Sequence, residues 1–167
     1  MQRRFLVLSR SYRVAVLVAS AALLDCSSSS GSGPTTPTDP FAEARARCVA
    51  DINQYRATLS LPPYAAWDDA QTNTCVDGQT HTDSVANTAH SAFGSCTEHA
   101  QDECPGWPGP PDSVMDNCLA AMWAEGPGAD FSTHGHYINM SSTSYTKVAC
   151  GFYKTASGDY WAAQDFR

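Results

Sequence analysis

The sequence predicts an α+β domain with an antiparallel sheet, stapled by disulfides, and three observations carry that prediction. Apolar residues recur at three- and four-residue steps through the first and middle parts of the chain, as in helices that bury one face. After Lys147 the pattern changes to two short runs, KVACGFY and DYWAAQDF, separated by Ser157-Gly158; that is a hairpin signal. Helices first and strands later favour an antiparallel sheet over alternating parallel units. Six of the seven cysteines fall within the folded part, enough for three cross-links.

The 167 residues divide into a signal segment at 1–25, a tether at 26–40 and one folded domain at 41–167. Arg3, Arg4, Arg10 and Arg13 precede an apolar stretch of eleven residues, Val14 to Leu24. A membrane-spanning helix needs roughly 20 apolar residues, so this one has the length of a signal peptide. Ala19-Ser20-Ala21 has the small-x-small form of a cleavage site. LLDC, ending at Cys26, resembles a bacterial lipobox, although Asp25 stands where a small residue is usual. Lipid on Cys26 would also explain the odd cysteine count, leaving Cys48, Cys75, Cys96, Cys104, Cys118 and Cys150 to pair in an oxidising compartment. The expectation is an exported protein, either a cell-envelope lipoprotein or a secreted one. The Ser/Thr/Gly/Pro-rich stretch from Ser27 to Pro40 cannot bury enough surface to fold and reads as a flexible spacer.

Residues 1–25 hold four of the ten basic and one of the seventeen acidic residues, so the remainder has 6 and 16 and a formal net charge of −10. Such a surface excludes nucleic acid as a partner and disfavours anionic membranes, leaving membrane contact to the anchor alone.

Asp39-Pro40 starts the first helix, whose stripe is Phe41, Ala44, Cys48, Ile52, Tyr55 and Leu59; Pro62 and Pro63 end it. A second helix starts after Trp67 with Asp68 and Asp69 at its positive end, and carries Cys75. From His81 to Pro111 the chain reads as loop. A third helix follows over PDSVMDNCLAAMWAE, capped by Asp112, with Glu125 at its end and Gly126 to Gly128 stopping it. Proximity pairs Cys96 with Cys104; Cys48–Cys75 would staple the first two helices, and Cys118–Cys150 a helix to the sheet.

His90, Glu98, Glu125 and His136 are the residues best suited to chemistry. Two imidazoles and two carboxylates could hold a divalent ion of zinc type or perform acid/base work. No HExxH, CxxC pair or GxSxG occurs, so no compact motif specifies a hydrolase. Ser91, beside His90, reads as a local hydrogen-bonding cap rather than a nucleophile. His134 could face the same way as His136 on an extended segment but reads as an exposed histidine. His99 could supplement the site, and His81 reads as a helix-end residue. Asp102 and Glu103 read as solvated loop charges, and Trp67, Trp107, Trp123 and Trp161 as core and loop anchors.

Six segments in order resemble the CAP superfamily, the cysteine-rich secretory, antigen 5 and class 1 pathogenesis-related proteins, here in a bacterial form. They are INQYRATLSLPPYAAWDDA, AHSAFG, TEHAQDE in place of the family's GEN, MWAEGPG, GHYINM and VACGF, spanning about residues 45 to 166. The resemblance implies a three-layer α-β-α sandwich and brings His90, Glu98, Glu125 and His136 into one open cleft. Thr97 and His99 replace the glycine and asparagine of GEN, and the chain ends at AAQDFR without a cysteine-rich extension. Three functions follow as expectations. The first is a binding module whose cleft takes a divalent cation, a lipid, another small ligand or an envelope or extracellular protein, without turnover. The second is a zinc-assisted hydrolase or peptidase, which needs at least one of the four residues off the metal. The third is a scaffold in which the four residues brace loops.

Overall fold

The structure, a computed structural model, describes residues 38–167. The expected signal segment, Cys26 and the tether up to residue 37 lie outside the described residues. The elements run α1 (Ala42–Thr58), β1 (Ala65–Ala66), α2 (Ala70–Ala86), β2 (Ala100–Trp107), α3 (Pro111–Trp123), α4 (Phe131–Ser141), β3 (Lys147–Lys154) and β4 (Tyr160–Phe166). The sheet order is β1-β3-β4-β2. β3, β4 and β2 are antiparallel, as expected, with Cys150 opposite Gln164 and Cys104 opposite Ala162. The two-residue β1 joins parallel at the β3 edge, which makes the sheet mixed.

Alternation along the strands sorts the sheet into two faces. Val148, Cys150, Phe152, Ala162 and Phe166 meet Ile52 of α1, Leu119 of α3 and Met140 of α4 in the main core. Ala149 and Ala163 meet Val76 of α2 on the other face. Three helices therefore cover one face and α2 the other, giving the three layers. Gly151 lies where α2 crosses β3: a Cβ there would stand 2.5 Å from Val76 Cγ1 and 2.7 Å from Val76 O. Only glycine permits that approach.

Beyond the short β1, the β3 edge is closed by side chains. The Arg45 guanidinium donates to the Cys150 carbonyl and to Asp77, and Asp77 Oδ1 accepts the Phe152 N–H at 2.8 Å. Arg45 also pairs with Asp39 at 2.8 Å. These two groups satisfy backbone that a neighbouring strand would otherwise hold.

Several expectations need correction. α1 begins at Ala42 because Pro40 and Phe41 form a turn in which Asp39 Oδ1 accepts the Phe41 N–H. α2 continues through His81 to Ala86 and closes on Asn87 in the left-handed region (φ 50); His81 stacks on Tyr153. α3 starts at Pro111 with Pro110 as its cap, so Asp112 sits in the first turn, and Glu125 lies past the helix end. The expected loop from His81 to Pro111 contains β2. Its residues AQDEC are buried on both faces, so the strand shows no apolar alternation.

All three expected disulfide pairings are replaced: the bonds are Cys48–Cys150, Cys75–Cys96 and Cys104–Cys118. Cys48 and Cys75 lie on helices covering opposite faces of the sheet and cannot meet. Cys96 packs with α2, whereas Cys104 points into the main core, which separates that pair too. Cys118 and Cys150 share a face, but strand order puts β3 beneath α1 and β2 beneath α3, so each strand cysteine bonds to the helix above it.

Candidate functional site: an open histidine groove

His90 follows the end of α2 in a positive-φ conformation (φ 62). Its backbone N–H donates to Glu103 Oε2 at 2.7 Å. The next two residues are held by Asp83, whose Oδ1 accepts from the Ser91 hydroxyl at 2.5 Å and the Ala92 N–H at 2.8 Å. The exposed ring places Nδ1 3.0 Å from Gln101 Oε1. The orientation of that amide is set from behind: Gln101 Nε2 donates to Asp165 Oδ1 at 2.9 Å and to Gln79 Oε1 at 3.2 Å, and Gln79 Nε2 donates to Glu98 at 2.5 Å. Gln101 Oε1 must then accept, so the proton resides on His90 Nδ1 and the lone pair of Nε2 is left for the groove.

His136 lies on α4, whose N-cap is Asp130; the Asp130 side chain accepts the Ser132 N–H. Glu125 Oε1 takes the His136 Nδ1–H at 2.5 Å, and Oε2 accepts the N–H of His136 at 3.0 Å and of Tyr137 at 3.3 Å. The second imidazole thus also turns Nε2 outward. α4 itself is fastened to α1 by Arg56, 2 % exposed, which donates to the carbonyls of Met140 and Ser142 at 2.8 Å each.

A depression of about 250 Å³ joins His90, Gln101, Glu125 and His136. A second, about 320 Å³, shares His90 and Gln101 and extends past His99 to Tyr145. Phe93 and Phe131, 50 % and 62 % exposed, line the extension. A larger depression, about 480 Å³, beside Trp67 and the alanines of α1 shares no residue with the groove.

Three of the four expected residues meet here, and Glu98 does not. Its carboxylate, 6 % exposed, turns away to accept the backbone N–H groups of Gly94 and Cys96 besides the Gln79 amide. Gln101, three residues later on β2, fills the fourth place. The groove therefore carries one carboxylate, Glu125, plus a neutral amide, and Glu98 reaches His90 only through two glutamines. His134 is on a helix rather than an extended segment and is spoken for: its Nδ1 lies 2.8 Å from the Glu125 carbonyl and 3.0 Å from that of Gly126, bracing the turn that carries Glu125. Ser91 is held by Asp83, as a capping role requires. His99 lines the extension.

Asp102 and Glu103 are not solvated. Asp102 lines the groove floor at 0 % exposure, accepts from Asn139 Nδ2 at 2.7 Å, and is pushed well above the carboxylate range by burial. Burial likewise raises Glu103 to about 8 and Asp165 to about 7. The signal that could have found them is the run Gln101-Asp102-Glu103 between Cys96 and Cys104, which as a strand sends Gln101 and Glu103 to one face.

The arrangement does not make the expected four-ligand metal shell. Among the described residues, the only group of three or more His, Cys, Asp and Glu with ligand atoms within 4.8 Å of one another is Cys96, Glu98 and Asp165. Cys96 is bonded to Cys75, and Glu98 is committed to backbone donors, so that group offers no coordination site. In the groove, both Glu125 oxygens already accept from α4 and Asp102 Oδ2 is sealed from solvent beneath them, so the two Nε2 atoms are what these walls offer a cation.

No curated protein matches the chain. The family model for the cysteine-rich secretory protein family, CAP, matches residues 49–166. That match covers both walls of the groove, all four strands and the later part of α1, from residue 49 on, and the chain belongs to this family.

Proposed function

We propose that the protein is an exported binding module whose groove takes an organic ligand, a lipid or a component of the cell envelope, without turning it over. The single observation that carries this reading is the pairing of two outward Nε2 acceptors with two exposed phenylalanine rings along one continuous groove. Exposed aromatic rings next to a few fixed polar groups are the usual composition of a small-ligand site. The serine hydroxyls nearby are engaged, Ser91 with Asp83 and Ser132 with Asp130, which supports binding over acyl transfer. Family membership and three disulfides fit an extracellular type of protein.

The test is to titrate zinc and, separately, a fluorescent fatty acid into the oxidised protein, His136→Ala and Phe131→Ala. Fatty-acid binding weakened in both variants, with no heat from zinc, supports the proposal. Zinc binding near one equivalent, lost in His136→Ala and kept in Phe131→Ala, selects a cation site on the two imidazoles instead. Neither ligand binding leaves the groove as a brace for its loops and overturns the reading.

A further inference from the structure

The floor of the groove is a sheet edge, and strand alternation shows which main-chain groups it presents. On β3 the Val148 and Cys150 carbonyls and the Phe152 N–H turn outward, to Trp67, Arg45 and Asp77. Ala149 and Gly151 therefore bond inward, to Asp165 and Ala163 of β4. The β4 residues left to face β2 are Phe166, Gln164 and Ala162, opposite Ala100, Asp102 and Cys104. The N–H and C=O groups of Gln101 and Glu103 consequently point away from the sheet. Among the described residues no hydrogen bond reaches any of these four groups, although Gln101 is only 7 % and Glu103 4 % exposed. Main-chain groups so deeply placed are almost always paired.

Glu103 lines neither depression, but Gln101 lines both, and Ala100 and Asp102 line one each. The groove thus straddles the free edge of β2. The Gln101 side chain joins the α2 side through Gln79, beside His90, and the Asp102 side chain joins the α4 side through Asn139. A donor and an acceptor on one residue, turned outward between two walls, are matched by the C=O and N–H of one residue of an extended chain. A fatty acyl chain has no such pair. No Lys or Arg lines either depression, Glu125 does, and the chain after residue 25 has a formal net charge of −10. These surroundings favour a neutral or basic ligand.

We infer that the groove takes an extended peptide, neutral or basic, which adds a strand beside β2 and pairs its main chain with Gln101. The peptide side chain opposite Gln101 turns toward His90, and its two neighbours turn toward His136 and Phe131 of α4. The two outward Nε2 atoms accept from hydroxyl, amide or ammonium groups of the peptide, and Phe93 and Phe131 cover its apolar side chains. Peptide recognition of this kind rests on the groove being a ligand site, and it narrows the ligand to one class.

The probe is a pool of end-blocked pentapeptides, with Lys at both ends and the middle positions varied, passed over the immobilised oxidised protein. The tightest peptide retained is then N-methylated at one residue at a time. A methyl on the residue opposite Gln101 is expected to weaken binding about tenfold or more, and a methyl on either neighbour, whose N–H faces away from β2, less than about threefold. In NMR, amide exchange at Gln101 is expected to slow at least about tenfold with the peptide bound. Because the main-chain test is made on the peptide, it does not depend on a variant of the protein folding. Retention of no peptide, a methyl scan without that alternation, or an unaltered Gln101 amide would each overturn the inference. Fatty-acid binding without peptide retention removes the peptide alone, whereas loss of both removes the ligand reading of the groove as well.

Discussion

Glu103 sits where water cannot reach its carboxyl, and burial raises it from an ordinary 4.5 to about 8. The folded state therefore binds a proton that the unfolded chain has released between those values, so the contribution to stability is greatest below about 4.5, declines as pH rises, and is gone above about 8. Asp165, raised to about 7, acts in the same direction. Thermal melts across this range are expected to show a declining midpoint, and Glu103→Gln a shallower decline; an equal slope in the variant would contradict the assignment. Gln101 shows the opposite case, a neutral group that must stay neutral. Gln101→Glu removes the donors to Asp165 and Gln79 and sets a carboxylate against Asp165, which is expected to cost about 2–3 kcal/mol in urea unfolding. His90, Glu125 and His136 were legible because imidazoles and carboxylates in recognisable segments stand out. Glu98 stands out as a carboxylate in the segment that replaces GEN, whereas Gln101 is an amide that nothing in TEHAQDE marks as the residue beside His90. Asp83 was illegible and Glu103 easily misread for a related reason: charge reads as solvent exposure until the partners are known.

At the scale of elements, the stretches with strong local chemistry were readable. The α1 stripe of Ala44, Cys48 and Ile52 is in the core, Asp69 caps α2 through the Thr72 N–H, and the hairpin turns at Gly158 (φ 99). What failed were elements whose burial is polar. β2 has no period-2 pattern because Gln101, Asp102 and Glu103 are as buried as Cys104. α4 was missed because FSTHGHYINM is rich in polar residues and interrupted by Gly135, and its helix depends on the Asp130 cap and on Glu125 accepting two of its N–H groups. Arg45 and Arg56 sit on the buried side of α1 for their hydrogen bonds, which no hydrophobic period can report. Packing between elements is tightest at Gly151. Gly151→Ala forces the new methyl onto Val76 side chain and backbone together, and a loss of about 1–3 kcal/mol is expected in chemical denaturation; an unchanged midpoint would mean that α2 can lift off β3.

For the whole molecule, the layer order was readable from the succession of helices and strands, whereas the cross-links depended on which strand lies under which helix. Those cross-links are unequal. Cys48–Cys150 closes a separation of 102 residues, and Cys104–Cys118 one of 14. Replacing the first pair by serines is expected to cost about 4–5 kcal/mol and the second about 3, if loop entropy dominates; guanidinium melts of the two double variants give the ranking, and a reversed order would point to packing around Cys104 instead. The β3 edge has a bearing on how copies of the chain meet one another. A sheet edge with free carbonyls and amides invites a strand from another molecule, and β1 covers only its first two residues. Arg45 and Asp77 occupy the next positions on the backbone itself, so an incoming strand would have to displace an ion pair to pair with Cys150 and Phe152. Growth of strand-swapped polymers from this edge is thereby made unfavourable by two side chains. Arg45→Ala should reveal it as concentration-dependent association in light scattering.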